Sequence, residues 1–282
     1  GAPFAGHTKV ITGLALSHDS ALLASASGDD TIKLWADNTM NSGHGGLAIA
    51  ISHEKYIRSI SFFSNGRRMI SGSWDKTACR WDLRTGKEIE EARDGHSRGI
   101  SCVDISPDSK LVVSGSWDRT SRIWNLGTGE LVAGPFESID WVGAVRFSSD
   151  SKKLAVKSEA GKCLEVWDFD ALTLEIVGAP FEGHSKIIRS LALSSDGVLL
   201  ASAAEDNTIK LWAFEPRQLL ASFHVGTPSS IILSPNSRQL AYATGRKIYI
   251  CNTPLDILIS TRCVPEAQGS VRIRRICVSS VR

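Results

Sequence analysis

The sequence predicts an all-β fold built from one repeated unit, and three observations carry that expectation. A histidine and a later tryptophan recur at one interval: His7–Trp35, His53–Trp81, His96–Trp124 and His184–Trp212 are each 28 residues apart, and His224–Cys251 falls one short. Self-similarity of this kind marks an array in which each unit covers an apolar face that its neighbour cannot bury alone. Between the landmarks lie short alternating apolar runs, such as Leu14-Ala15-Leu16 and Leu191-Ala192-Leu193. Asp, Gly and Asn turn residues close each run, the pattern of short antiparallel strands.

The units justify themselves in order. The first runs from Gly6-His7 through Asp19, Ser25 and Asp29 to Ile32-Lys33-Leu34-Trp35, and the second from His53 through Ser71 and Asp75 to Trp81-Asp82. The third runs from Gly95-His96 through Ser106-Pro107-Asp108, Ser114 and Asp118 to Trp124. The fourth is eroded: Ser138 stands where the histidine should be, and Ser158-Glu159-Ala160-Gly161 replaces the turn aspartate. The fifth, from His184 through Ser202 and Asp206 to Trp212, is intact. The sixth keeps His224 and Ser234-Pro235-Asn236, but Thr244-Gly245-Arg246 replaces the turn aspartate and Cys251 the tryptophan. Units four and six should therefore be the looser ones. A seventh begins near residue 269, with Gly269–Arg274 leading into Ile276–Ser280. At the other end, Gly1–His7 mirrors Gly178–His184, so it reads as the last strand of a unit. Joining strands from both ends would leave a half-built unit with exposed edges. The expectation is instead a shortened chain or one part of a larger protein.

The Gly-His and Trp-Asp marks at this period resemble the WD40 (β-transducin-like) propeller family over essentially the whole chain. The naming dipeptide is intact at Trp81-Asp82 and Trp167-Asp168. The resemblance implies one propeller domain over residues 1–282, made of four-stranded antiparallel blades, with six full repeats (from near 7, 53, 96, 138, 184 and 224) and an incomplete seventh. It also implies a hydrogen-bonded Asp–His–Ser–Trp network in each intact blade. These are Asp29, His7, Ser25 and Trp35; Asp75, His53, Ser71 and Trp81; Asp118, His96, Ser114 and Trp124; and Asp206, His184, Ser202 and Trp212. The chemistry is coherent on its own terms, since a buried indole N–H, hydroxyl and carboxylate must each find a partner. The quartets look like catalytic triads, but a constellation recurring once per blade cannot be a single active site.

Enzyme signatures are missing. There is no Gly-x-Ser-x-Gly, His53-Glu54 has Ile57 where a zincin places its second histidine, and Gly86-Lys87 and Gly161-Lys162 lack the rest of a phosphate loop. No cofactor and no metal site is expected, because the histidines fall on different blades. Formal charge is +2, from 32 basic and 30 acidic residues, so nothing pulls the whole chain toward nucleic acid or an anionic membrane. The arginines of the tail, Arg272, Arg274, Arg275 and Arg282, carry no interleaved aromatics of the kind RNA recognition uses. Six cysteines show no paired spacing, as expected of small buried residues in a reducing compartment. The expected location is cytoplasmic, with the nucleus as the alternative.

That leaves binding. In the family, the exposed positions of the partner-binding top face fall three and five residues after the histidine and just before the turn aspartate. Carried over, they are Val10, Thr12 and Gly28 in blade one, Tyr56, Arg58 and Trp74 in blade two, Gly99, Ser101 and Trp117 in blade three, Trp141 and Gly143 by alignment in blade four, Ile187, Arg189 and Glu205 in blade five, and Thr227 and Ser229 in blade six. Of these, Tyr56, Arg58, Trp74, Ser101, Trp117, Trp141, Arg189 and Glu205 are the partner-binding candidates. Tyr56, Trp74, Trp117 and Trp141 crowd onto consecutive blades, and Trp, Tyr and Arg dominate interface hot spots. The plain alternative is that each tryptophan only covers a neighbouring turn, and an aromatic cage for methylated lysine is a further geometric option. The function expected is a non-enzymatic scaffold binding a protein or peptide partner on the top face, within a multiprotein complex or larger chain. The alternative is the C-terminal ligand-sensing array of a larger fungal nucleotide-binding receptor-like protein, since Gly-Ala-Pro-Phe-Glu-Gly-His and Trp-Asp-Leu-Arg-Thr-Gly-Lys resemble such arrays. An enzyme using the central channel is the third reading.

Overall fold

A computed structural model describes residues 4–36, 47–90, 95–138, 141–148, 150–151, 153–157, 163–168, 175–176 and 180–262. After β1 (Phe4–Ala5) the described strands fall into successive groups. The first is β2 (Ile11–Leu16), β3 (Leu22–Ser27), β4 (Thr31–Ala36) and β5 (Leu47–Ser52); the second is β6 (Ile57–Phe62), β7 (Arg68–Ser73), β8 (Ala78–Asp82) and β9 (Lys87–Glu90). The third is β10 (Ile100–Ile105), β11 (Leu111–Ser116), β12 (Thr120–Asn125) and β13 (Leu131–Glu137). The fourth is β14 (Val145–Phe147), β15 (Lys153–Lys157), β16 (Cys163–Asp168), β17 (Glu175–Ile176) and β18 (Phe181–Glu182). The fifth is β19 (Ile188–Leu193), β20 (Leu199–Ala204), β21 (Thr208–Ala213) and β22 (Gln218–His224), and the last is β23 (Pro228–Leu233), β24 (Gln239–Thr244) and β25 (Lys247–Asn252). Each group is an antiparallel sheet, and β1 pairs with β25 to complete the last of the six sheets among the described residues. The architecture is an all-β propeller.

Local chemistry sets the turns. Between the first and second strands of a blade, Ser-x-Asp makes a side-chain turn: Asp19 accepts from Ser17 Oγ at 2.6 Å and from the Ala21 amide at 3.1 Å. Ser106-Pro107-Asp108 and Ser194-Ser195-Asp196 repeat it, and Asn236 stands in for the aspartate after Ser234. The residue after each aspartate or its equivalent takes positive φ, at Ser20, Ser109, Gly197 and Ser237. The second turn likewise places Asp30, Lys76, Arg119 and Asn207 in the left-handed region, where a lysine or arginine is held only because the flanking network over-determines the turn.

Apolar residues pack between neighbouring sheets and not within one. Ile32 and Leu34 of the first sheet join Ile57, Met69 and Trp81 of the second. Ile11, Leu23 and Trp35 join Ile232, Ala243 and Ile248 of the last. The innermost strands touch in the order β2, β6, β10, β14, β19, β23, and β23 touches β2 again. Side-chain staples span these joints: the Leu14 amide donates to Ser230 Oγ at 2.9 Å, the Val103 amide to Ser59 Oγ at 3.1 Å, and the Ile231 amide to Ser190 Oγ at 3.1 Å.

Two expectations about the ends change. The N-terminal strand is the outer strand of a blade, but that blade is the sixth, with Phe4 opposite Ile248 and Ala5 opposite Lys247. Mixing strands from both ends thus completes a four-stranded sheet and leaves no half-built one there. Where the sixth unit's own fourth strand was due, the chain turns at Thr253-Pro254 into α1 (Leu255–Arg262), with Asp256 in its first turn and buried Ile257 against the last blades. The partial seventh repeat, from about residue 269, lies outside the described residues.

Candidate functional site

The recurring quartets are hydrogen-bonded in all four intact blades. His7 Nδ1 lies 3.0 Å from Asp29 Oδ2 and His7 Nε2 lies 2.8 Å from Ser25 Oγ, which accepts the Trp35 indole N–H at 2.9 Å. The corresponding distances are 2.8, 2.6 and 2.7 Å for His53, Asp75, Ser71 and Trp81. They are 2.9, 2.8 and 3.0 Å for His96, Asp118, Ser114 and Trp124. For His184, Asp206, Ser202 and Trp212 they are 2.9, 2.7 and 2.8 Å. A carboxylate only accepts, so Nδ1 carries the proton and the serine hydroxyl donates to Nε2.

Electrostatics agree with neutral imidazoles. Burial pushes His7, His96 and His184 below the ordinary histidine value, against the opposing pull of their aspartates. Burial also works against the aspartates but loses there. Hydrogen bonds, from His53 and Thr77 to Asp75 and from Thr208 and the Ser185 amide to Asp206, bring both carboxylates down to about 2. Asp29 and Asp118 shift the same way. As a nucleophile the serine is unusable. Ser25, Ser71 and Ser202 are 0% exposed and Ser114 2%, and an indole N–H already occupies each oxygen. The geometry is that of a triad, but no substrate can reach it.

Open chemistry lies at the ring face where the inner strands begin. Tyr56 and Trp141 precede inner strands, while Trp74 and Trp117 follow antiparallel second strands, so all four emerge at the same end. Their rings form one row: Tyr56–Trp74 at 5.2 Å between centroids, Trp74–Trp117 at 5.7 Å edge-on, and Trp117–Trp141 stacked at 5.0 Å. Lys9 Nζ sits 5.1 Å from the Tyr56 ring and the Arg58 guanidinium 5.8 Å from that of Trp74. Tyr56, Trp74 and Trp117 remain 39%, 37% and 37% exposed although each packs on its neighbours. The covering role holds as well: a Cβ added at Gly99 would fall 2.9 Å from Trp74 Cα, and one at Gly28 would meet the Tyr56 ring at 3.5 Å. Rings that fill one another's faces make a row and not a cage. Arg189 is exposed and pairs with half-buried Glu205.

The opposite end of the channel holds a cavity of about 310 Å³ among the inner-strand ends. Desolvation pushes the carboxyl of half-buried Asp104 above its usual range, and it accepts from the Phe147 amide at 2.9 Å and Ser61 Oγ at 3.2 Å, with Arg146 at 3.7 Å. Among the described residues, no three His, Cys, Asp or Glu side chains cluster as metal ligands would.

Comparison with known proteins settles the family. The WD domain, G-beta repeat model matches residues 2–36, 47–82, 88–125 and 176–213, half of the chain. The chain belongs to the WD40-repeat family. Those segments carry the four intact networks, while the eroded fourth and sixth WD40 units go unmatched. Among curated proteins it is similar to MST50-interacting protein 11 of Pyricularia oryzae, with 31% identity over 87% of this chain and 78% of that protein. It is also similar to Cross-pathway control WD-repeat protein 2 of Flammulina velutipes and to Small ribosomal subunit protein RACK1 of Neurospora crassa, each 30% identical over the same shares.

Within the WD40 frame some expectations shift. Ser101, expected on the open face, is 4% exposed, and its hydroxyl donates to the Gly115 and Val142 carbonyls, tying blade three to blade four. His224 ends β22 exposed and joins no quartet, and Cys251 is exposed where other blades bury tryptophan. Blade six stacks Tyr242 on Tyr249 at 5.3 Å instead. In blade four Ser138 Oγ is buried without a partner, and the Ser158–Gly161 stretch lies outside the described residues. Sequence reading missed a fifth network member. Thr31, Thr77, Thr120 and Thr208, each two residues after the turn aspartate, donate to it at 2.6, 2.5, 2.7 and 2.5 Å.

Proposed function

We propose that the protein is a non-enzymatic scaffold that docks a peptide or protein partner on the face where the inner strands begin, over the row Tyr56, Trp74, Trp117 and Trp141. The single observation that carries this reading is the row itself: four aromatic rings from three consecutive blades, in contact with one another, three of them more than a third exposed. A contiguous aromatic patch of this kind supplies a large contact area at small entropic cost, and arginine at its edge adds directional hydrogen bonding. The names of the relatives, an interacting protein and a ribosomal subunit protein, are in keeping with life in a protein assembly. We read the frame as a six-bladed ring closed by β1 on β25, one domain residing in the cytoplasm, with neither nucleic acid nor membrane as its partner. No helix among the described residues is long and apolar enough to cross a membrane.

The test is a peptide-array screen with the whole chain and with the Trp74→Ala/Trp117→Ala double variant. The variant should lose the peptides that the parent retains while staying folded at the assay temperature, with the parent's far-ultraviolet circular dichroism and only a modestly lower midpoint. An unchanged peptide set would overturn the reading.

A further inference from the structure

One position on the inner strands divides the blades by chemistry. Thr12, Ser101 and Ser229, each five residues after the histidine or its positional equivalent, point a hydroxyl at the next blade. Thr12 donates to the Ile57 carbonyl, Ser101 to the Val142 carbonyl, and Ser229 to the Ile11 carbonyl at 2.5 Å. In blades two and five the same position holds Arg58 and Arg189. Those blades reach their neighbours through the following serines, Ser59 and Ser190. The arginines therefore replace a joint that the ring makes by other means.

The two arginines differ in what they touch. Arg189 pairs with Glu205. Arg58 has neither a hydrogen-bond nor an ion-pair partner among the described residues. Its Nε is buried and unsatisfied, and its plane rests 5.8 Å from the Trp74 ring. Burial first, and then the like charge of Arg189, hold Arg58 down to about 10, so it is still a cation at neutral pH. β6 and β19 lie three places apart in the ring of inner strands, which sets the two side chains across the channel mouth from each other. A half-buried guanidinium whose Nε is cut off from water and left unmatched is unfavourable for the free protein, and a fixed fork of donors beside a tryptophan face is the geometry a carboxylate fits.

We propose that Arg58 is an anion-binding residue that receives the side-chain carboxylate of an acidic residue in a docked peptide, with Trp74 and Trp117 packing against the flanking residues. This rests on the docking-face reading above and narrows it to an acidic peptide. A carboxylate is favoured over a phosphate by charge. One free guanidinium matches one negative charge, whereas a phosphate brings close to −2, and the second arginine, paired with Glu205, is not available to balance the extra charge.

Two measurements separate the layers. In the first, N-acetyl-glutamate amide, N-acetyl-glutamine amide and inorganic phosphate are titrated into the whole protein while the Arg58 Nε–H resonance is followed. The expected result is a saturable shift with the glutamate compound alone. A shift with phosphate only, or with none of the three, overturns the assignment. In the second, three synthetic heptapeptide pools with a central Glu, Gln or phosphoserine are tested for binding to the parent, Arg58→Met and Trp74→Ala/Trp117→Ala. The Glu pool should bind best and lose on the order of tenfold or more in Arg58→Met. The thermal midpoint of that variant should hold or rise, because a desolvated charge has been removed; a fall would mark Arg58 as structural and sink the proposal. Equal binding of Glu and Gln pools that still depends on the tryptophans would refute the carboxylate site and leave the docking face standing. Preference for the phosphoserine pool would refute it in favour of a phosphopeptide. Binding of every pool undiminished by the tryptophan changes would refute the docking face itself.

Discussion

Removing the hydroxyl of Ser202 tests how much one WD40 network contributes to the ring. Ser202 is 0% exposed; its oxygen accepts the Trp212 indole N–H at 2.8 Å and its proton goes to His184 Nε2 at 2.7 Å. Ser202→Ala leaves one buried donor and one buried acceptor orphaned. Each orphan costs about 1–3 kcal/mol, so the variant should lose about 2–6 kcal/mol. At roughly 2 °C per kcal/mol for a domain of this size, the midpoint should fall by about 4–12 °C. Trp212→Phe is the control. It removes the indole donor and keeps an aromatic of similar shape, and the serine proton still reaches His184. In the double variant the penalty should be less than the sum of the singles by about 1 kcal/mol or more, since the orphaned indole is gone. Thermal and urea unfolding followed by far-ultraviolet circular dichroism measure all four species. A Ser202→Ala loss under about 0.5 kcal/mol, or strict additivity, would refute the claim that the quartets act as connected buried networks.

Other consequences follow from the same geometry. Because His7, His96 and His184 titrate below the ordinary value when folded, the unfolded chain takes up protons first on acidification. Stability should be complete above about pH 6.5 and decline as the pH falls from there; a midpoint that rises between pH 7.5 and 5.5 would contradict this. Asp75 and Asp206, near 2 when folded against 3.8 ordinarily, add stability above about pH 4 that is lost between 4 and 2, visible as a second, steeper fall. Gly99→Ala places a Cβ 2.9 Å from Trp74 Cα and 3.2 Å from its Cδ1, so it should cost about 1–3 kcal/mol and shift tryptophan emission. An emission spectrum identical to the parent's would mean that the Trp74 contact is looser than described. Deleting residues 1–5 strips β1 from β25 and exposes a strand edge. Sedimentation should then show self-association, and a stable monomer would argue against closure of the ring through β1.

What the sequence disclosed is what lies within one blade. His184, Ser202, Asp206 and Trp212 sit at fixed offsets because a single sheet brings them together, and the same offsets recur in blades one, two and three. The fifth member was also within reach, as the threonine two residues after each turn aspartate. Relations between blades were harder to read. Position five after the histidine holds Thr12, Arg58, Ser101 and Arg189, and nothing local says that Ser101 turns inward to the next blade's carbonyl while Arg58 stays unmatched. The partner of β1 is β25, more than two hundred residues away, so no window of sequence contains the pairing. Leu255–Arg262 forms α1 after β25, whose edge β1 occupies, and the repeat pattern carries no sign of that helix. The aromatic row was foreseeable as a set of positions, but the ring-to-ring contacts that make it one surface depend on how neighbouring blades are spaced.

On the proposed reading the quartets hold the ring while recognition happens beside them, on the aromatic row. Isothermal titration of one array-selected peptide against the parent, Ser202→Ala and Trp74→Ala/Trp117→Ala at 20 °C tests it most directly. Ser202→Ala should bind within about twofold of the parent despite its lower midpoint, and the tryptophan variant should lose affinity on the order of a hundredfold, as expected when two hot-spot residues of about 1–2 kcal/mol each are truncated. Equal affinity for the tryptophan variant, or loss confined to Ser202→Ala, would contradict it.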